Sequence, residues 1–143
     1  MRSRLVPFAL ASSLLVAAAG ACGHSSALMP VAATYTISPA ARVDLIEIDD
    51  DLYKVMVYNT SGGQMVINRD AFYLQTPGGM ITREPGGIAN AYAVPPGGAH
   101  DVNLRFHLDE SAQPGCQVYL LVDQAVTING APAGLPPIVL VRK

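Results

Sequence analysis

The clearest pattern in the chain runs from Ala99 to Leu108. Val102, Leu104, Phe106 and Leu108 alternate there with Asp101, Asn103, Arg105 and His107. A strict period of two predicts a strand with one face on a core and the other in water. Leu52 to Tyr58 reads the same way, with Tyr53, Val55 and Val57 on one face and Leu52, Lys54, Met56 and Tyr58 on the other. Gln117 to Val122 is apolar at nearly every position, which predicts a central strand covered on both sides. Shorter strand-like runs are Thr34–Ile37, Val43–Ile48, Met65–Ile67, Ala71–Thr76, Met80–Thr82, Tyr92–Val94, Ala125–Ile128 and Ile138–Val141. Turn residues punctuate them, at Ser38-Pro39, Asp49–Asp51, Asn59–Gly63, Pro77–Gly79, Pro95–Gly98 and the Gly/Pro-rich loop Asn129–Pro137. About 8–10 short strands at this spacing, with no long helical pattern after residue 21, predict an all-β sandwich or barrel.

The first residues follow different rules. Met1–Arg4 is a short cationic segment, and Leu5–Ala19 is a mostly apolar run of 15 residues broken by Pro7, Ser12 and Ser13. That run is shorter than the about 20 apolar residues of a spanning helix, and it reads as an export signal helix over 1–21. Ala19-Gly20-Ala21-Cys22 resembles the lipobox of bacterial lipoproteins, with Ala19 where a larger aliphatic residue is usual. The resemblance implies cleavage before Cys22 and lipid on its sulfur, hence a membrane anchor. Gly23 after that cysteine implies onward transport to the outer membrane in a host with two membranes. If Cys22 carries no lipid, a Cys22–Cys116 disulfide becomes open to the chain, since these are its 2 cysteines. Residues 22–33 read as the lipidated cysteine and a flexible Gly/Ser/Ala tether, and 34–143 as one folded domain.

Val55-Met56-Val57-Tyr58-Asn59-Thr60-Ser61, Phe72-Tyr73-Leu74 before Gly78, and Pro95-Pro96-Gly97 leading to Arg105-Phe106-His107-Leu108 form a recurring grammar of strand and turn. In this order they resemble the small immunoglobulin-like domains carried by many bacterial lipoproteins. The resemblance implies an immunoglobulin-like antiparallel sandwich over Val43–Val141. The cysteine pair and buried Trp of antibody domains are missing, for the chain has no Trp.

Charge narrows the partners. Without Arg2 and Arg4 the balance is 7 basic against 11 acidic residues, and the remaining cations are scattered. A nucleic-acid partner needs a basic stripe, so that class is excluded. Asp49–Asp51 lacks the spaced ligands of a calcium loop and reads as a solvated turn. His100 and His107 sit an odd number of residues apart, which turns them to opposite faces of one strand about 20 Å apart. With His24 in the tether and Met56, Met65 and Met80 at no ligand-like spacing, no copper site is expected. Cys116 follows Pro114-Gly115 with no activating neighbour in sequence and reads as a small buried residue. Asp109-Glu110 lies in a connection and reads as solvated charge, and no nucleophile elbow or phosphate loop is present. Asn59-Thr60-Ser61 fits the N-glycosylation pattern. Tyr53, Tyr58, Tyr73, Tyr92 and Tyr119 read mainly as packing residues.

These observations lead to a non-enzymatic, cofactor-free envelope lipoprotein. It is expected to be exported, held to the membrane through Cys22, and to act as an interaction or structural module with an envelope protein partner. The binding loops expected are those carrying Glu84, Asn90 and Asn129, because sandwiches place recognition at their ends. The alternative is a periplasmic carrier of copper or of a small ligand.

Overall fold

The structure, a computed structural model, describes residues 28–31, 33–86 and 89–143. Thirteen strands follow in order: β1 (Leu28–Pro30), β2 (Tyr35–Ile37), β3 (Ala41–Asp49), β4 (Leu52–Asn59), β5 (Met65–Asn68), β6 (Tyr73–Thr76), β7 (Gly79–Thr82), β8 (Ala91–Val94), β9 (Ala99–Arg105), β10 (Gln117–Leu121), β11 (Val126–Ile128), β12 (Ala131–Pro132) and β13 (Ile138–Arg142). They form three antiparallel sheets, ordered β1-β13-β10-β6-β7, β2-β3-β4-β9 and β12-β11-β5-β8. None closes into a barrel, and the architecture is the expected all-β sandwich. Among the described residues no helix is long and apolar enough to cross a membrane.

The period-two readings locate the core. Tyr53, Val55 and Val57 of β4 are fully buried, as are Leu104 of β9 and Val118 and Leu120 of β10. Met65, Ile67, Val94 and Val126 bring the third sheet into the same cluster. Burying each such side chain contributes about 1.5–3 kcal/mol against leaving it in water. β3 and β4 pair over most of their length, with a bulge between Leu45 and Glu47. β4 then pairs with β9 from Leu52↔Arg105 to Tyr58↔Ala99.

Four local expectations change. The chain starts to fold earlier than Thr34, because Leu28–Pro30 pairs with Leu140–Arg142 and buries Leu28. Cys22, His24 and the signal lie outside the described residues. The run Ala71–Thr76 is not one strand, since a 3₁₀ turn occupies Arg69–Ala71 with Asn68 accepting from the Asp70 amide. Ala125 likewise closes a second 3₁₀ turn, Asp123–Ala125, before β11. Finally, β9 stops at Arg105, although Phe106 stays buried and Leu108 packs against the core. There the backbone leaves β4: the Phe106 amide donates to Asp51 O at 3.0 Å, and the Glu84 amide to Arg105 O at 2.7 Å.

Candidate functional site

Those two backbone bonds assemble the main cluster of ionisable side chains. Asp51 comes from the β3–β4 turn, which Asp50 enters at a φ of 56°. Glu84 comes from the loop after β7, and Arg105 and His107 from the end of β9. Arg105 Nη1 donates to Asp51 Oδ1 at 2.6 Å, and its Nε lies 3.9 Å from Glu84 Oε2. His107 bridges the same acids, with Nε2 3.2 Å from Glu84 and Nδ1 3.6 Å from Asp51. Ligand atoms of Asp51, Glu84 and His107 all fall within 4.8 Å of one another. Two carboxylates and an imidazole suit a borderline or hard divalent cation better than Cu(I). A cation would have to displace the Arg105 guanidinium, which already neutralises Asp51. As it stands, two carboxylates share one permanent cation and an imidazole, and the cluster clips three segments together.

A hollow of about 240 Å³ lies beside it, lined by Asp51, His107, Tyr53, Phe106 and Arg142. Tyr53 is wholly buried, its ring edge-on to Phe106 with centroids 5.5 Å apart. Its hydroxyl has no hydrogen-bond partner among the described residues. Burial, aided by the Asp51 and Asp50 carboxylates, pushes the phenol well above the ordinary tyrosine range. Folding therefore favours the neutral phenol, and this stability is lost as pH rises past about 10. Tyr53→Phe removes an orphaned polar atom, so urea melts at pH 7 should show a change between zero and about 1 kcal/mol in the stabilising direction. The variant should also lose less stability than the parent at alkaline pH. A destabilisation beyond about 1 kcal/mol at pH 7 would mean that the hydroxyl is satisfied in solution.

The three expected binding loops do not converge. Glu84 sits where β4 begins. Asn129, at a φ of 49°, accepts from the Gln64 amide beside the turn that holds Asn59, the last residue of β4. Asn90 accepts from Arg83 Nη2 at 3.0 Å and serves its own loop. His100 is a surface residue stacked on Tyr92, ring centroids 4.2 Å apart. Met65 is core, while Met80 is 61% exposed. Cys116 forms no disulfide among the described residues and is half-buried rather than fully buried. Asp109 is tied down: hydrogen bonds from the Ser111 and Thr76 hydroxyls and from nearby amides hold its carboxyl below the usual range. The sequence reading missed the Asp51–Glu84–Arg105–His107 cluster because each residue was weighed alone in its connection. The outward positions of Arg105 and His107 on one strand were the available signal.

No protein-family model and no curated protein matches the chain. Two solved structures share its fold. One is ycdA, a candidate lipoprotein of Bacillus subtilis subsp. subtilis str. 168, with a TM-score of 0.58 and 15% identity. The match takes in 76% of this chain but only 38% of ycdA. The other is the yjhA protein of Bacillus subtilis, with a TM-score of 0.52 and 13% identity, covering 75% of this chain and 94% of that one.

Proposed function

We propose that this chain is an exported lipoprotein whose β-sandwich serves as a non-enzymatic interaction or structural module at the cell envelope. The observation that carries the reading is the fold shared with a candidate lipoprotein, beside a lipobox-like Ala19–Cys22 in this sequence. The pairing of Arg105 with both Asp51 and Glu84, residues of two other segments, supports a structural use of those charges. Mass spectrometry of the mature N-terminal peptide tests the anchor: Cys22 should be the first residue and carry lipid. Cys22→Ser should then move the protein from the membrane fraction to the soluble one, because stable attachment rests on those chains. An unmodified Cys22, or a Ser variant that still sediments with membranes, would overturn this anchor. Cross-linking in intact envelopes should return a stoichiometric protein partner, and its absence would count against the interaction role.

One observation favours a second reading, a carrier of a divalent metal: the O,O,N donor set of Asp51, Glu84 and His107. Calorimetric titration with zinc and copper, repeated on His107→Ala, decides it. Binding lost in the variant supports the carrier, and no heat in either protein removes it.

A further inference from the structure

The outer sheet faces are built from different chemistry: one carries charge and two do not, the smaller uncharged row being Val66, Asn68, Ala91, Ala93 and Thr127 of the third sheet. On the β2-β3-β4-β9 sheet, Arg42, Asp44, Glu47, Lys54 and Asp101 face outward, interspersed with exposed Tyr35, Ile37 and Ile46, a mixed and solvated antiparallel face. The outward row of the five-stranded sheet carries no Asp, Glu, Lys or Arg. Register sets Met29 opposite Val141, Val139 opposite Tyr119, and Leu121 opposite Tyr73 across neighbouring strands. Gln117, Gln75 and Thr82 supply the polar groups of that row. Met29 is 44% exposed and Met80 is 61% exposed, at the two edge strands of this sheet. A hollow of about 210 Å³ opens between Tyr73, Met80 and Leu121; its walls are mostly apolar, with Asp123 and Gln124 also lining it. Uncharged faces of this kind mark surfaces that meet something other than water.

The position of the anchor says what that is. β1 is an edge strand of this sheet, and Leu28 is six residues after Cys22. Six residues reach at most about 20 Å when fully extended. A lipid on Cys22 therefore keeps β1, with Met29 on the uncharged face, within about 20 Å of the acyl chains. β1 belongs to this sheet, so the tether brings this sheet's edge to the bilayer first. Half-buried Tyr73 and Tyr119 on the near face present an apolar ring and a polar tip, the chemistry favoured at a membrane–water boundary. We propose that the outer face of the five-stranded sheet lies against the bilayer surface, so that the domain is laid on the membrane rather than swinging above it. The charged face is then the one presented to partners. This rests on the lipid-anchor reading.

The absence of Trp from the chain gives a clean probe. Met80→Trp reports on the proposed face and Met56→Trp on the charged one, in acylated full-length protein reconstituted into vesicles containing brominated lipid. Trp at 80 should emit at shorter wavelength and be quenched, while Trp at 56 should behave as in water. Adding Met29→Glu to the Met80→Trp protein should abolish the quenching. If both reporters are equally quenched or both unquenched, the orientation is wrong. Protection of Trp at 80 without vesicles, together with dimers on sedimentation, would show that a second copy covers the face and overturn the proposal. A parallel set carries Cys22→Ser and is held on nickel-chelating vesicles by an N-terminal histidine tag. That arm tests the face independently of acylation, and the N-terminal peptide mass tests the anchor.

Discussion

Asn59→Ala should lower the unfolding free energy by about 2–3 kcal/mol, roughly 10 °C in melting temperature for a domain of this size. The side chain is 1% exposed and its amide is saturated. Nδ2 donates to Gly63 O and Val94 O, both at 2.9 Å, and Oδ1 accepts from the Ser61 amide and hydroxyl. Both hydrogens and both lone pairs are thus in use, the full capacity of an asparagine. Those bonds join the end of β4 to the turn that follows it and to the end of β8. Its backbone binds the Pro95–Gly98 turn as well, through Gly98 O and the Gly97 amide. Alanine leaves the Val94 carbonyl buried without its donor, and that penalty exceeds the net value of an ordinary hydrogen bond. Asn59→Asp keeps the shape but points a carboxylate at two carbonyl oxygens. Its folded-state pKa must rise, so the stability of that variant should fall as pH climbs above the ordinary aspartate range of about 4. Urea melts of both variants from pH 4 to 8 check this. An Asn59→Ala loss below about 0.5 kcal/mol would show that the turn holds without the side chain. The same geometry closes the glycosylation pattern at Asn59, because both amide hydrogens are already bound inside the fold.

Asn59 also marks where the sequence could and could not be read. As a turn residue between two apolar runs it was legible, and so was the alternation that buries Tyr53, Val55 and Val57 beside it. Local periodicity reports which face of a strand is covered. It does not report which distant strand lies alongside. β1 was missed because three residues carry no period, and its partner β13 lies at the other end of the chain. The 3₁₀ turn at Arg69–Ala71 was missed because Asn68 caps it through a side-chain bond that apolar counting cannot see. The Asp51–Arg105 contact was hidden for the same reason as β1. It depends on the β4–β9 register, in which Leu52 lies opposite Arg105. Glu84 was singled out for standing in a loop, yet what places it is the bond from its amide to Arg105 O.

What keeps that loop in place is a single buried cation, and its removal should be the second large loss. Arg83 looks like one of several scattered surface charges in the sequence, but its side chain is only 4% exposed. Nη1 donates to Glu84 O at 2.8 Å and Gly86 O at 3.2 Å. Nη2 reaches Asn90 Oδ1 at 3.0 Å and Asp70 Oδ1 at 2.7 Å. Asp70 is 57% exposed, so water weakens the ion pair, and the carbonyl and amide bonds do most of the holding. Arg83→Met keeps the length and removes every donor, and should cost about 2–3 kcal/mol in a urea melt. Arg83→Lys should recover only part of this, because one ammonium cannot span four acceptors arranged around a planar fork. Hydrogen exchange separates a loop effect from a global one. In Arg83→Met the Glu84 amide should lose protection by more than the fall in global stability explains, while the amides of β4 and β10 follow that fall. A variant within about 0.5 kcal/mol of the parent would show that the loop is ordered by its own turn residues. The expected result ties the cluster to the fold, because Glu84 meets His107 and Arg105 only where Arg83 holds the chain behind it.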